Sequence, residues 1–278
     1  MPSCPGGNRN GGGTGAAAPV EAPARGAAPL ESAVVVAHPD DEILWLSGPL
    51  GSADRVVFCF GDPFGRPKLA AARRRAVAAL ALPRLVELRI PESGARFAAD
   101  WGQPRLTRCG IDVIDAAARA RYEANFTILV DRLRPLLRAC RDVYTHNPWG
   151  EYGHTEHIQV YRAVAALQAE LGFTIWFGNY VAARSWPLAR AIGRAPCWTA
   201  RRTIAPDLAT ARRLARLYRR HGAWTWSRFH RWPAEEVLYA QPSAAAGDAR
   251  RALSGEVLCD VAALRWWAPW RTAARRLD

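Results

Sequence analysis

The chain has 278 residues, half of them hydrophobic, and a formal net charge of +13 carried almost wholly by arginine, since Lys68 is the only lysine. That length suits one α/β domain with a substantial core. No segment reaches the roughly 18 uninterrupted apolar residues of a membrane span, and the basic charge comes without a recognisable nucleic-acid module, so neither a membrane span nor a nucleic-acid partner is expected.

Residues 1–30 are rich in Gly, Ala and Pro without hydrophobic period and read as a disordered tail. They lack the basic start and apolar core of a secretory signal. Cys4, Cys59, Cys109, Cys140, Cys197 and Cys259 form no Cys-x-x-Cys pair. Cys59 and Cys140 fall in or near apolar segments, where buried free thiols are common, and a reducing, cytoplasmic location is the simplest expectation.

The first predicted element is a strand over 33–37, Ala33-Val34-Val35-Val36-Ala37, apolar throughout as in a strand covered on both faces. It runs into His38-Pro39-Asp40-Asp41-Glu42. His38 and Asp41, three apart across a proline, can converge on one cation, leaving Asp40 as a base. Equally, Asp40, Asp41 and Glu42 can cap a helix over 41–47 that Gly48 and Pro49 would end. A strand over 55–60, a helix over 68–81 and a strand over 85–90 follow. The stretch 92–114, holding Phe97, Trp101, Pro104 and Cys109, breaks the rhythm and reads as an extended loop over a pocket. A helix over 115–139 and a strand over 142–146 lead to a second cluster.

That cluster runs Trp149-Gly150-Glu151-Tyr152-Gly153-His154-Thr155-Glu156-His157 and opens a helix over 155–171, which a strand over 173–181 follows. His154 and His157, three apart in a first turn, share a face. Glycines at 150 and 153 let the backbone turn closely around a small site. Two histidines so spaced, with a distant His-x-x-Asp, point to a metal. His146 either orients a ligand or is satisfied by backbone.

The alternation implies right-handed crossovers and an α/β, Rossmann-like three-layer sandwich with a mostly parallel sheet. Both clusters then sit at C-terminal strand ends, where open α/β sheets bind ligands. Farther on, 207–221 reads as a basic helix. The stretch 222–233, with Trp224, Trp226, Arg228, His230, Arg231 and Trp232, reads either as a pocket wall or as a flap packed on the sheet. We place the main domain at 31–240, with a linker and C-terminal extension over 241–278 that carries Trp266, Trp267 and Trp270.

Ala37-His38-Pro39-Asp40-Asp41-Glu42 and Gly153-His154-Thr155-Glu156-His157 resemble the two signatures of the LmbE/PIG-L family of zinc-dependent N-deacetylases, Ala-His-Pro-Asp-Asp-Glu and Gly-His-x-x-His. The likeness extends over roughly 32–180 through Arg55–Asp62 and Leu88–Ser93. It implies His38, Asp41 and His157 as ligands of Zn(2+), Asp40 as general base, and His154, protonated, as the group that steadies the oxyanion and protonates the departing amine. Two imidazoles and a carboxylate leave coordination positions open, as catalytic zinc sites do; the same donors also suit Fe(II), Co(II) or Mn(II). Where the family often has an Arg-x-x-Glu helix, this chain has Arg73-Arg74-Arg75-Ala76-Val77, which puts that substrate contact in doubt. Glu92 is carried over as a substrate ligand, with Trp149, Trp226 and Arg228 as further candidate contacts.

The resemblance implies a hydrolase that removes acetyl from an N-acetylated amino sugar, N-acetylglucosaminyl in type, as a small molecule or glycoconjugate. An amidase on a bulkier N-acyl sugar conjugate, such as a thiol-sugar conjugate, is the nearest alternative. A non-catalytic sugar- or anion-binding protein on the same fold should have lost the base or a ligand, and this chain keeps them all. The arginine excess either attracts anionic substrates or is a solvated surface without a specific partner.

Overall fold

The structure, a computed structural model, describes residues 31–82, 84–192 and 200–241. The expectations for 1–30 and 242–278, including Trp266, Trp267 and Trp270, lie outside the described residues. In chain order the elements are β1 (Ser32–Val36), α1 (Asp41–Trp45), α2 (Ser47–Leu50), β2 (Arg55–Asp62), α3 (Pro67–Ala78), β3 (Leu85–Pro91), β4 (Leu106–Thr107), β5 (Gly110–Ile111), α4 (Ala116–Leu137), β6 (Asp142–Thr145), α5 (Thr155–Leu171), β7 (Thr174–Gly178), α6 (Trp186–Ile192), β8 (Ala200–Ile204), α7 (Leu208–His221) and β9 (Glu236–Gln241).

Seven strands form one sheet in the order β3-β2-β1-β6-β7-β9-β8. The five from β3 to β7 pair in parallel, and β9 and β8 add antiparallel at one edge. The fold is an α/β three-layer sandwich of Rossmann-like type with a mostly parallel sheet. Alternate residues of β1 feed opposite cores: Ala33, Val35 and Ala37 pack with Phe126, Leu129, Leu133 and Ile158 of α4 and α5. Val34 and Val36 pack with Ala72, Ala76, Leu214 and Tyr218 of α3 and α7. A strand buried on both faces is a continuous apolar run, which is why β1 is plain in the sequence.

Chain order reverses beside β1, whose neighbours are β2 on one side and β6 on the other. The crevice at such a reversal opens at the C-terminal strand ends. In-register pairing of Val35 with Thr145 puts His38 and His146 just beyond the same end of the sheet.

Three expectations need correction. The helix over 41–47 breaks at Leu46 and restarts as α2, with Pro49 in its first turn; proline is tolerated there because a first-turn N–H has no intrahelical partner. The stretch 92–114 is not simply extended, since it contains a 3-10 turn, Ala95–Phe97, and the β4–β5 hairpin. Strands β8 and β9 had no counterpart in the sequence reading. No helix among the described residues is long and apolar enough to cross a membrane.

Candidate metal centre and active site

Four of the chain's six histidines meet at the end of β1 and β6. Asp41 Oδ2 is the centre of the group: it lies 3.1 Å from His38 Nδ1, 3.3 Å from His157 Nε2 and 3.6 Å from His146 Nε2. It also accepts the His38 backbone N–H at 2.8 Å, while Oδ1 accepts the Trp45 indole N–H at 3.1 Å. The rings of His146 and His157 stack with centroids 3.8 Å apart, and those of His154 and His157 stack at 4.6 Å.

Asp40 stands apart from its neighbour. Its φ of +96° turns the side chain away from α1, and no side-chain bond caps that helix. A non-glycine residue in this region is strained and persists only when surrounding contacts fix it. Here Asp40 Oδ2 accepts the Thr225 backbone N–H at 2.9 Å and the Thr225 hydroxyl at 2.8 Å. Glu42 accepts the Asp40 backbone N–H at 2.9 Å and the Tyr218 hydroxyl at 2.7 Å. The three acids therefore have separate tasks: the side chains of Asp40 and Asp41 do not cap α1, while Glu42 reaches back to the N–H of the residue that opens it.

Five carboxylates at this centre, Asp40, Asp41, Glu42, Glu151 and Glu156, are buried, and Arg73 is the only buried arginine among the described residues. Burying that much negative charge demands positive charge in return. The pKa shifts express the demand. Burial, then Asp41, raises Asp40 to about 6. Burial raises Glu42 to about 8. For Asp41 burial acts upward, but His157 and His38 outweigh it and hold the carboxyl well below its usual range. Burial acts downward on His157, yet Asp41 and Glu151 raise it to about 10.

The residues fit a divalent ion. Buried His38 Nε2, His154 Nδ1 and His157 Nε2 each lie 3.1–3.3 Å from a carboxylate oxygen without forming a well-aligned hydrogen bond, a cluster of donors that a cation would satisfy. Two overlapping triads offer ligand atoms mutually within 4.8 Å: His38, His154 and His157, and Asp41, His146 and His157. The expected set of His38, Asp41 and His157 is divided between these triads, which share His157.

The other expected residues are placed as follows. His154 has its Nδ1 3.3 Å from Glu156 Oε2. Burial lowers its pKa to about 3 despite Glu156, which works against the cationic form that the resemblance implies. His146 accepts the Ala37 N–H at 2.8 Å, so it is satisfied by backbone and also touches Asp41. Glu92 does not stand free for a sugar hydroxyl: its Oε1 lies 3.1 Å from His38 Nε2 and 3.2 Å from Arg73 Nη1. Trp149 is a core residue, wholly buried against Phe177 with its indole N–H donated to the Tyr180 carbonyl at 2.7 Å, and cannot be a substrate contact. Trp226 lies at the rim, its ring 4.9 Å from Tyr152 and 5.2 Å from Trp45. Arg228 is exposed, its guanidinium carbon 4.5 Å from the centre of the Phe229 ring.

Three residues escaped the sequence reading. Glu151 Oε2 lies 2.7 Å from His157 Nδ1 and 3.1 Å from His146 Nδ1. Its backbone, at φ +50°, is pinned by reciprocal bonds with Asn147 of 2.9 and 2.8 Å. A carboxylate on Nδ1 directs the other nitrogen of His157 toward a metal. Glu156, which holds His154, was visible between the two histidines. Thr225 carried no signal at all.

No protein-family model matches the chain, and no curated protein sequence matches it. Among solved structures similar to it is the zinc-inhibited form of teicoplanin deacetylase Orf2, with 12% identity and a TM-score of 0.49 over 76% of this chain and 97% of that one. The A40926 pseudoaglycone deacetylase Dbv21 has 14% identity and a TM-score of 0.44 over 78% of this chain and 100% of that one. N,N'-diacetylchitobiose deacetylase from Pyrococcus horikoshii has 14% identity and a TM-score of 0.41 over 77% and 84%.

Proposed function

We propose that this chain is a metal-dependent hydrolase of the LmbE/PIG-L type that removes acetyl from an N-acetylated amino sugar, N-acetylglucosaminyl in type, releasing acetate and the free amine. The observation that carries the reading is the division of labour between adjacent acids. Asp41 Oδ2 lies within 3.6 Å of three buried imidazoles, whereas Asp40 is turned out of that cluster and held by Thr225. This arrangement supports a reading in which Asp41 binds a cation and Asp40 moves a proton.

His38, Asp41 and His157 would hold Zn(2+), with His146 alongside; Fe(II), Co(II) or Mn(II) suits the same donors. The ion would supply Lewis acidity toward the attacking water and the acetamide carbonyl. Asp40, raised to about 6 yet deprotonated at neutral pH, takes the proton of the attacking water and returns it toward the leaving nitrogen. His154, held at Nδ1 by Glu156, would lie toward the carbonyl oxygen and steady the negative charge that develops there. Tyr152 and Trp226, backed by the buried Trp45 ring, would offer an aromatic face on which a sugar can stack.

An acetate-release screen of the metal-loaded protein against N-acetylhexosamines, nucleotide sugars, inositol-linked sugars and aminoglycoside-type intermediates tests the reading. Acetate from at least one class, absent in Asp40→Asn, supports it. Release of a larger acid without acetate would replace it with the amidase.

A further inference from the structure

The mouth of this site carries positive charge that the mechanism does not use. Arg96 sits in the 3-10 turn Ala95–Phe97, its guanidinium carbon 5.7 Å from the centre of the Tyr152 ring. That ring is 5.4 Å from the His157 ring and 5.7 Å from the His154 ring. Arg184 reaches the same place from beyond β7. Its stem lies across Gly153, where a Cβ would come within 3.0 Å of its Cγ and Cδ, and its guanidinium carbon is 5.3 Å from the centre of the Trp101 ring. Both cations are thus seated on aromatic rings, which restrains them as free surface arginines are not.

Neither has an acidic partner among the described residues, whereas Arg73, Arg74 and Arg134 each bind a carboxylate. The two stand close enough that burial, and then repulsion from Arg96, push the Arg184 guanidinium down. A third donor lies beside them: the buried Trp101 indole N–H has no acceptor. Arg96 is half-buried and Arg184 is exposed, so two neighbouring like charges and an unused indole N–H face the opening together, where an anionic acceptor would satisfy all three.

Resting on the deacetylase reading, we propose that Arg96 and Arg184 form an anion subsite at the mouth, so that the substrate is an N-acylated amino sugar carrying a phosphate or carboxylate on its far side. The buried acids repel an anion from the reacting end, and the Tyr152 ring separates the two regions. The pair therefore orients the substrate as well as attracting it, with the amide toward Asp40 and the anionic group outward.

The test compares kcat/KM for a neutral methyl N-acetylglucosaminide, N-acetylglucosamine 1-phosphate and an N-acetylglucosaminide with a carboxylate aglycone. Preference for an anionic substrate by about tenfold or more is expected, as is typical of a charged hydrogen bond. Whichever anionic arm is favoured identifies the group. Arg96→Gln and Arg184→Gln should each erase most of that preference, while Arg212→Gln, an equal charge change on the exposed face of α7, should not. Calorimetric binding of N-acetylglucosamine 1-phosphate in an Asp40→Asn background supplies a readout independent of turnover. Binding that weakens in the Arg96→Gln/Arg184→Gln protein supports the subsite even if no acetate is ever released. Acetate release with no anionic preference, or the same loss in Arg212→Gln, would overturn the subsite and leave the deacetylase reading intact.

Discussion

Thr225 holds Asp40 by two bonds to one oxygen: its backbone N–H at 2.9 Å and its hydroxyl at 2.8 Å both donate to Oδ2. Both bonds fall on Oδ2, so the proposed base would act through Oδ1, and they fix a residue whose backbone, at φ +96°, is otherwise strained. Thr225→Val keeps the backbone bond and removes the hydroxyl. We expect kcat to fall about tenfold, in line with loss of one charged hydrogen bond, with KM and metal content little changed. Thr225→Ser should restore the rate, and failure of that rescue would show that the methyl group matters instead.

Asp40→Asn should retain the metal and lose turnover by ~10² to 10⁴, the usual contribution of a general base. The pH profile follows from the same group. Burial and Asp41 raise Asp40 to about 6, and a bound cation pulls it back down. Below its pKa the carboxyl is protonated and cannot accept a proton, so activity declines as pH falls, with an acid limb at or below pH 6. An acid limb well above 6 would point to another base.

Glu151→Gln removes the charge that faces Nδ1 of both His146 and His157. Loss of such a supporting carboxylate costs about 10- to 100-fold in metal affinity. Competition with a chelator measures it, and wild-type affinity would remove Glu151 from the metal's support.

The two tryptophans once grouped as substrate contacts should separate. Trp149→Ala opens a cavity beside Phe177 and should destabilise the fold by about 3–5 kcal/mol, read by denaturant unfolding. Trp226→Ala, at the rim, should raise KM for sugar substrates with a much smaller change in stability. The reverse pattern would exchange their roles.

How much of this was legible follows from what each segment is packed against. Strands β1, β2, β6 and β7 lie inside the parallel part of the sheet, where burial on both faces leaves apolar runs that sequence displays. Edge strand β3 shows itself instead by alternating Leu88 and Ile90 with Glu87 and Arg89. Strand β8 is Ala200-Arg201-Arg202-Thr203-Ile204, an exposed edge whose identity comes from pairing with β9, and no periodicity announces that. The histidines and the acids of the first cluster were legible because strand ends place them together. Thr225 is 185 positions from Asp40 and reaches it only through the path of α7, so local pattern could not find it. Trp149 shows the opposite failure: proximity to a motif says nothing about which way a ring points.

The central claim is that the buried His/Asp cluster holds a catalytic divalent ion. The most direct measurement is acetate release from an N-acetylated amino-sugar substrate before chelation, after chelation and after return of Zn(2+), with metal content determined on the same samples. The account predicts activity that disappears with the metal and returns with it, and a His157→Ala protein that neither retains metal nor releases acetate. Acetate release that survives metal removal, or unchanged metal content in His157→Ala, would contradict it.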